Sequence, residues 1–336
     1  MELTFEAIAE DSPGPKWRAL FDRFWPAYER WFLSDGEHAR PRYLSSLRAL
    51  REHMPELVPT YERLVEVAGN TDLIARFMSS FCPPSYLIRC SQAVWSDDAP
   101  FLVRNYDYNP QLYEGVILKT AWNGRAVISM NDCMWGVLDG INEDGLAVSL
   151  SFGGRKVVGT GFGVPLVLRY VLEFCTTTDE ATAVLERVPV HMSYNVTVLD
   201  AGGKFVTAYL RPDEPPVVRA VPYAANHQDA IEWVQHAKAT KTLERERFLY
   251  SQLRGGARSA DDMIESFLRP PLYSSAFASG YGTLYTAVYR PGTRLLEYRW
   301  PGTVWRFAFD AFDEGKRTMA LGVPATPAQP TVAPHA

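Results

Sequence analysis

Apolar residues recur at helical spacing near the start of the chain: Trp17, Leu20, Phe21, Phe24, Tyr28 and Phe32 fall on one face. Pro26 interrupts that face and is expected to kink or split the helix, because it removes an N–H and crowds the preceding turn. A second stripe, Leu57, Tyr61, Leu64 and Val65, predicts another helix. Residues 1 to about 80 therefore read as helical, with the aromatics as core. From about 84 the period shortens to two. The runs "SYLIRCSQAVW", "PFLVRNYDY", "EGVILKTAW", "AVISM" and "GLAVSLSF" read as strands separated by turns such as "WNGR" and "NEDG".

Two helices are predicted next, over 164–175 and 179–187, the second capped by Asp179. Strands resume with "SYNVTVLD" and "FVTAYL" across an "AGGK" turn. Residues 229–254 and 259–268 read as helices, and "TLYTAVYR", "RLLEYRW" and "VWRFAF" as closing strands. Hairpin turns imply antiparallel pairing, and helices grouped in pairs imply layers that cover sheet faces. "GTGFG" at 159–163 lacks the rest of a dinucleotide fingerprint and reads as a flexible turn. The boundaries that follow are 1–83 for a helical leader, 84–321 for the main domain, and 322–336 for a disordered proline- and alanine-rich tail.

Composition narrows the function. Net charge is −5 with no basic block, which argues against a nucleic-acid partner. No apolar run reaches the length of a membrane span, and the acidic start "MELTFEAIAEDSPGP" does not resemble a signal peptide. Four cysteines, Cys82, Cys90, Cys133 and Cys175, are too sparse for a disulfide framework. A cytoplasmic, reduced protein is expected. His191, His227 and His236 are not spaced as a compact metal site, so neither metal nor cofactor is expected.

The chemistry centres on Cys90. It lies in one predicted strand, and Arg104-Asn105-Tyr106-Asp107 lies in the next, with no histidine between. A thiol of ordinary pKa about 8.5 needs a base. An α-amine, at about 7.7–8.0, titrates close to neutral pH and can serve. Cys90 would gain one if the Arg89–Cys90 bond were cut.

The Cys90-Ser91 pair, "RNYDY" 14 residues after Cys90, and the later "ANHQ" resemble the N-terminal-nucleophile hydrolases. They look most like the acyl-coenzyme A:6-aminopenicillanic acid acyltransferase family, whose relatives include choloylglycine hydrolase, acid ceramidase and N-acylethanolamine amidase. "GINEDGLAVSLSF", "SYNVTVLDAGGK", "ERERFLYSQL" and "GTLYTAVYRPGTRLLEY" match further features in order, so the resemblance covers about 84–310. It implies an α+β, four-layer αββα sandwich of two antiparallel sheets. It implies Cys90 as nucleophile, Arg104 beside the thiol, Asp107 holding the new α-amine, Asn226 at the oxyanion, and Arg247 as the supporting helix arginine. Asn195 and Ser151 are further candidates for the pocket, and Asn105 belongs to the motif without an assigned role. The substrate implied is a small-molecule acyl amide, with an acyl-CoA or amine acceptor for transfer. Relatives often carry a small residue where this chain has Arg89. That departure keeps open an uncleaved relative that binds an acylated ligand, and His227 beside Asn226 keeps open a Cys-His hydrolase. Oligomeric state is not fixed by the sequence.

Overall fold

The computed structural model describes residues 1–322. Apart from Gly322, the predicted tail lies outside the described residues. Strand β1 (Glu2–Ala9) precedes four helices: α1 (Pro15–Phe32), α2 (Tyr43–His53), α3 (Val58–Ala68) and α4 (Asp72–Met78). Six strands follow: β2 (Arg89–Trp95), β3 (Phe101–Tyr108), β4 (Val116–Thr120), β5 (Val127–Asp132), β6 (Gly136–Asn142) and β7 (Ala147–Phe152). Then come α5 (Val164–Phe174), α6 (Thr178–Arg187), β8 (Tyr194–Leu199), β9 (Phe205–Leu210), β10 (Val217–Arg219) and β11 (Tyr223–Ala224). The chain continues with α7 (Val234–Thr240), α8 (Thr242–Ser251), α9 (Ala260–Ser266), β12 (Gly282–Arg290), β13 (Leu295–Trp300), β14 (Thr303–Phe307) and β15 (Gly315–Ala320).

These strands form two sheets. The larger runs β10-β9-β8-β7-β6-β5-β4-β1-β15, the smaller β11-β2-β3-β12-β13-β14. Helices α5 and α6 cover the outer face of the larger sheet. On the smaller sheet, Met263 and Ile264 of α9 and Leu249 of α8 bury Ala93, Val103 and Val288. The order helix, sheet, sheet, helix is the four-layer αββα sandwich. Between the sheets, Gln92 Nε2 donates to Thr197 Oγ1 (2.9 Å) and Gln92 Oε1 accepts from Ser149 Oγ (2.7 Å), so buried polar groups are paired across the layers.

The N-terminal segment is not wholly helical. β1 pairs parallel with β4 and antiparallel with β15, inside the larger sheet. Its alternate residues serve two layers, as a period of two requires. Ile8 packs outward with Leu20 of α1, while Phe5 faces inward with its ring 4.9 Å from that of Trp300. Leu57, Tyr61, Leu64 and Val65 are buried as expected. Helix α1 continues through Pro26 rather than splitting there. Pro26 is exposed, so water can satisfy the carbonyl its ring leaves free, and buried Trp17, Phe21 and Phe32 anchor both halves.

Three local expectations are corrected. The cap of α6 is Thr177, in a reciprocal capping box with Glu180, and not Asp179. "GTGFG" is a close-packed turn: a Cβ on Gly161 would lie 2.5 Å from the Val190 carbonyl carbon, and Phe162 N donates to Pro189 O at 2.8 Å. The span 229–254 starts its helix only at Val234 and breaks at Lys241, whose φ is +50°. That break starts α8 at Thr242, whose hydroxyl oxygen accepts from Asn226 N at 2.8 Å.

Candidate active site

Cys90 and Tyr106 are partners across the β2–β3 ladder, so their side chains share the face between the sheets with Arg104 two residues along. Arg104 Nη2 donates to Cys90 Sγ at 3.1 Å. The guanidinium is fully buried and fixed from several elements. Its Nε donates to Leu150 O (3.0 Å), its Nη1 to Tyr285 OH (3.1 Å), and Nη1 also pairs with Asp139. Tyr285 OH in turn donates to Asp139 Oδ2 at 2.6 Å. Burial still dominates the thiol: it pushes Cys90 up to about 11, against the opposing pull of Arg104.

The main-chain side of Cys90 is held by another arginine. Cys90 N donates to Asn226 Oδ1 at 3.1 Å. Arg245 Nη2 donates to the same oxygen at 2.6 Å, and its Nη1 donates to Cys90 O (2.7 Å) and Ser91 Oγ (2.9 Å). Asn226 Nδ2 reaches Phe152 O at 3.3 Å. Asp107 Oδ2 lies 3.5 Å from Arg245, and Asp107 Oδ1 accepts from Thr283 Oγ1 at 2.6 Å. Burial raises the Asp107 carboxyl, with Arg245 opposing, and burial lowers Arg245, with Asp107 opposing.

The structure thus brings Cys90, Arg104 and Asn226 together and sets Asp107 behind them, acting through Arg245. Arg247 is not in the site. It is exposed, and Arg245 stands where the sequence reading put it. The buried positions of α8 are Thr242, Arg245 and Leu249, spaced three and four apart, and residue 247 points off that face. Asn105 is also apart from the thiol. Strand alternation turns it outward, where it donates to Phe267 O and accepts from Thr286 Oγ1. Asn195 and Ser151 hold the loop that carries Asn226: Asn195 Nδ2 donates to Ala225 O and His227 O, and Ser151 Oγ to Ala225 O. His227 pairs with Thr242 Oγ1 (2.8 Å) and Glu246 (3.2 Å), away from the sulfur. Arg89 has a place of its own, its guanidinium 4.2 Å from the centre of the Tyr281 ring.

The profile of the acyl-coenzyme A:6-aminopenicillanic acid acyl-transferase family matches residues 94–305. The chain belongs to this family. As such it is an N-terminal-nucleophile hydrolase relative, and Arg104, Asp107, Asn226 and Arg245 all fall within the matched span. No curated protein matches. Among solved structures, the chain is similar to a mutant of conjugated bile acid hydrolase from Clostridium perfringens. Identity there is 12% over 69% of this chain and 96% of that one, with a TM-score of 0.46. A Caenorhabditis elegans N-acylethanolamine-hydrolyzing acid amidase ortholog gives 17% identity over 69% and 100%, with 0.46. Penicillin V acylase from Agrobacterium tumefaciens gives 14% over 66% and 86%, with 0.43.

In this family member the sulfur is wholly buried, and the segment before it runs beside an open cleft of about 790 Å³. Tyr86 and Leu87 line it, as do Tyr108 at the end of β3 and Tyr281 just before β12. Helix α1 contributes Tyr28 and Trp31, so the N-terminal segment forms part of the wall. No helix among the described residues is long and apolar enough to cross a membrane.

Proposed function

We propose that the protein is a thiol amidase or acyltransferase that acts on linear, non-peptide amides and activates itself by cutting Arg89–Cys90. The observation that carries this reading is the arrangement at Cys90: an arginine on the sulfur at 3.1 Å, a side-chain amide on the nitrogen at 3.1 Å and, among the described residues, no imidazole on either. In the cut, the Cys90 thiol first loses its proton to solvent; the Sγ thiolate attacks the Arg89 carbonyl carbon, the C–N bond breaks as Cys90 N takes up a proton from water, and a thioester forms. Water then releases the Arg89 carboxylate and regenerates the thiol. The freed α-amine becomes the base for substrate turnover. It takes the thiol proton as Sγ attacks the acyl carbonyl, then gives it to the departing amine. Arg104 steadies the thiolate. Asn226 supplies an oxyanion donor from Nδ2, worth about 2.7–4 kcal/mol of barrier. Water or an acceptor amine resolves the acyl-enzyme.

Residues 1–89 stay with the enzyme after the cut. β1 is hydrogen-bonded on both edges, and the helices that follow share the main core, so expelling the segment would open the larger sheet.

The self-cut tests this reading through its pH dependence. With the uncut thiol pushed up to about 11, the reactive thiolate fraction rises throughout the neutral range. Cleavage of freshly synthesised chain, followed by gel at pH 6 to 9, should accelerate roughly tenfold per pH unit. A rate that levels above pH 7, as an imidazole base would give, contradicts it.

A further inference from the structure

The cleft holds two carboxylates that lack a cation. Glu114 and Asp132 line it and are 9% and 8% exposed. Glu114 is held by neutral donors: Tyr28 OH at 2.5 Å, Asn131 Nδ2 at 2.6 Å and Met134 N at 2.9 Å. Among the described side chains, Asp132 receives only the Tyr28 hydroxyl at 3.4 Å and the Cys133 thiol at 3.6 Å. Among the described residues neither acid forms an ion pair. Burial raises both, and the neighbouring Glu114 helps take Asp132 to about 7. An isolated buried carboxylate is costly to ionise, and a cation beside it removes most of that cost.

A second observation points to the missing partner. Asn131 is 1% exposed, its amide nitrogen donates to Glu114, and among the described residues its Oδ1 has no donor. Glu114 and Asp132 turn carboxylate acceptors to the cleft, which is what an ammonium or guanidinium needs, and the Asn131 amide lies against Glu114 behind them. Aromatic faces surround it, with Tyr28 against Trp31 and Tyr108 against Tyr281. The cleft's own cations are engaged elsewhere: Arg155 with Asp213 and Glu232, and Lys156 4.7 Å from the Trp233 ring centre. The chain itself already lays a cation on this wall, since Arg89, the last residue of the segment acylating Cys90, stacks on Tyr281.

We infer that the acyl group transferred to Cys90 carries a cationic head, amino or guanidino, which seats on Glu114 and Asp132 while its chain lies along the aromatic wall. The inference deepens the proposed function and rests on Cys90 as nucleophile. An acyl group leaving Sγ in the direction of the present Arg89 carbonyl follows the path of residues 85–87 into the cleft.

Two measurements on the full-length protein test it. The first compares kcat/KM for the 6-aminohexanoyl and hexanoyl amides of 7-amino-4-methylcoumarin. The amino substrate should be preferred at least tenfold, and Asp132→Asn and Glu114→Gln should each cut that ratio at least tenfold. The second titrates n-hexylammonium and 1-hexanol against tryptophan fluorescence, which needs no turnover. Hexylammonium should bind at least tenfold more tightly, with the advantage lost in Asp132→Asn. A wild-type preference for hexanoyl, or a ratio unmoved by both substitutions, overturns the cationic head while leaving Cys90 as nucleophile. Equal binding of the two probes overturns it independently. If neither amide turns over but hexylammonium is favoured, the cation seat stands and the reading of Cys90 falls.

Discussion

Changing Cys90 to alanine leaves one chain of 336 residues and lowers amide turnover by on the order of 10⁴-fold or more, the scale on which losing a covalent nucleophile acts. The sulfur does two jobs. In the proposed function it is the attacking atom in both the self-cut and amide turnover, so both are expected to vanish together. It is also the acceptor for Arg104 Nη2, in a site where that guanidinium is wholly buried. Alanine leaves that donor unmet, at about 1–3 kcal/mol. Cys90→Ser restores an acceptor, so thermal unfolding should place it between wild type and alanine. Intact mass and an amide assay on all three proteins check this. Turnover by Cys90→Ala within tenfold of wild type would remove the nucleophile from the account.

Arg245→Met is expected to be the most damaging single change outside Cys90. It strips the partner from Asp107, which is 5% exposed, and removes donors to Asn226 Oδ1, Cys90 O and Ser91 Oγ. Removing one member of a buried ion pair costs about 3–5 kcal/mol. Asp107, already raised by burial, loses the charge that holds it down and takes up a proton more readily. Stability should fall by that amount in urea, and self-cleavage should stop because Asn226, the partner of the Cys90 amide, loses the donor that holds it. Arg245→Lys should not rescue the site, since an ammonium cannot reproduce the guanidinium's spread of donors. Arg247→Ala, on the exposed side of the same helix, should stay within about 0.5 kcal/mol of wild type. An exchange of these effects between the two arginines would contradict Arg245 as the arginine that holds Asn226.

That pair also marks where the sequence is readable. Cys90, Arg104 and Asn226 are legible because strand pairing is local for the first two and the ordered motifs carry the third. The helix phase of "ERER" is not fixed by charge. It becomes readable only from Thr242 and Leu249, whose spacing to Arg245 defines the buried side. β1 escaped because its partners, β4 and β15, are more than a hundred residues away. β15 is mostly exposed and polar, so it shows no apolar alternation. Asn105 adjoins Arg104 in sequence, but a strand sends neighbours to opposite faces. Glu114 and Asp132 share no motif. Only the packing of β5 against the start of β4 sets them side by side.

The proposed chemistry depends on a thiol that borrows its base from its own backbone. Intact mass of catalytically active wild-type protein, measured under denaturing conditions, tests this most directly. The expected result is two chains, of 89 and 247 residues, the second beginning with Cys90 and carrying a free amine. Full activity in a single unbroken chain of 336 residues would contradict it.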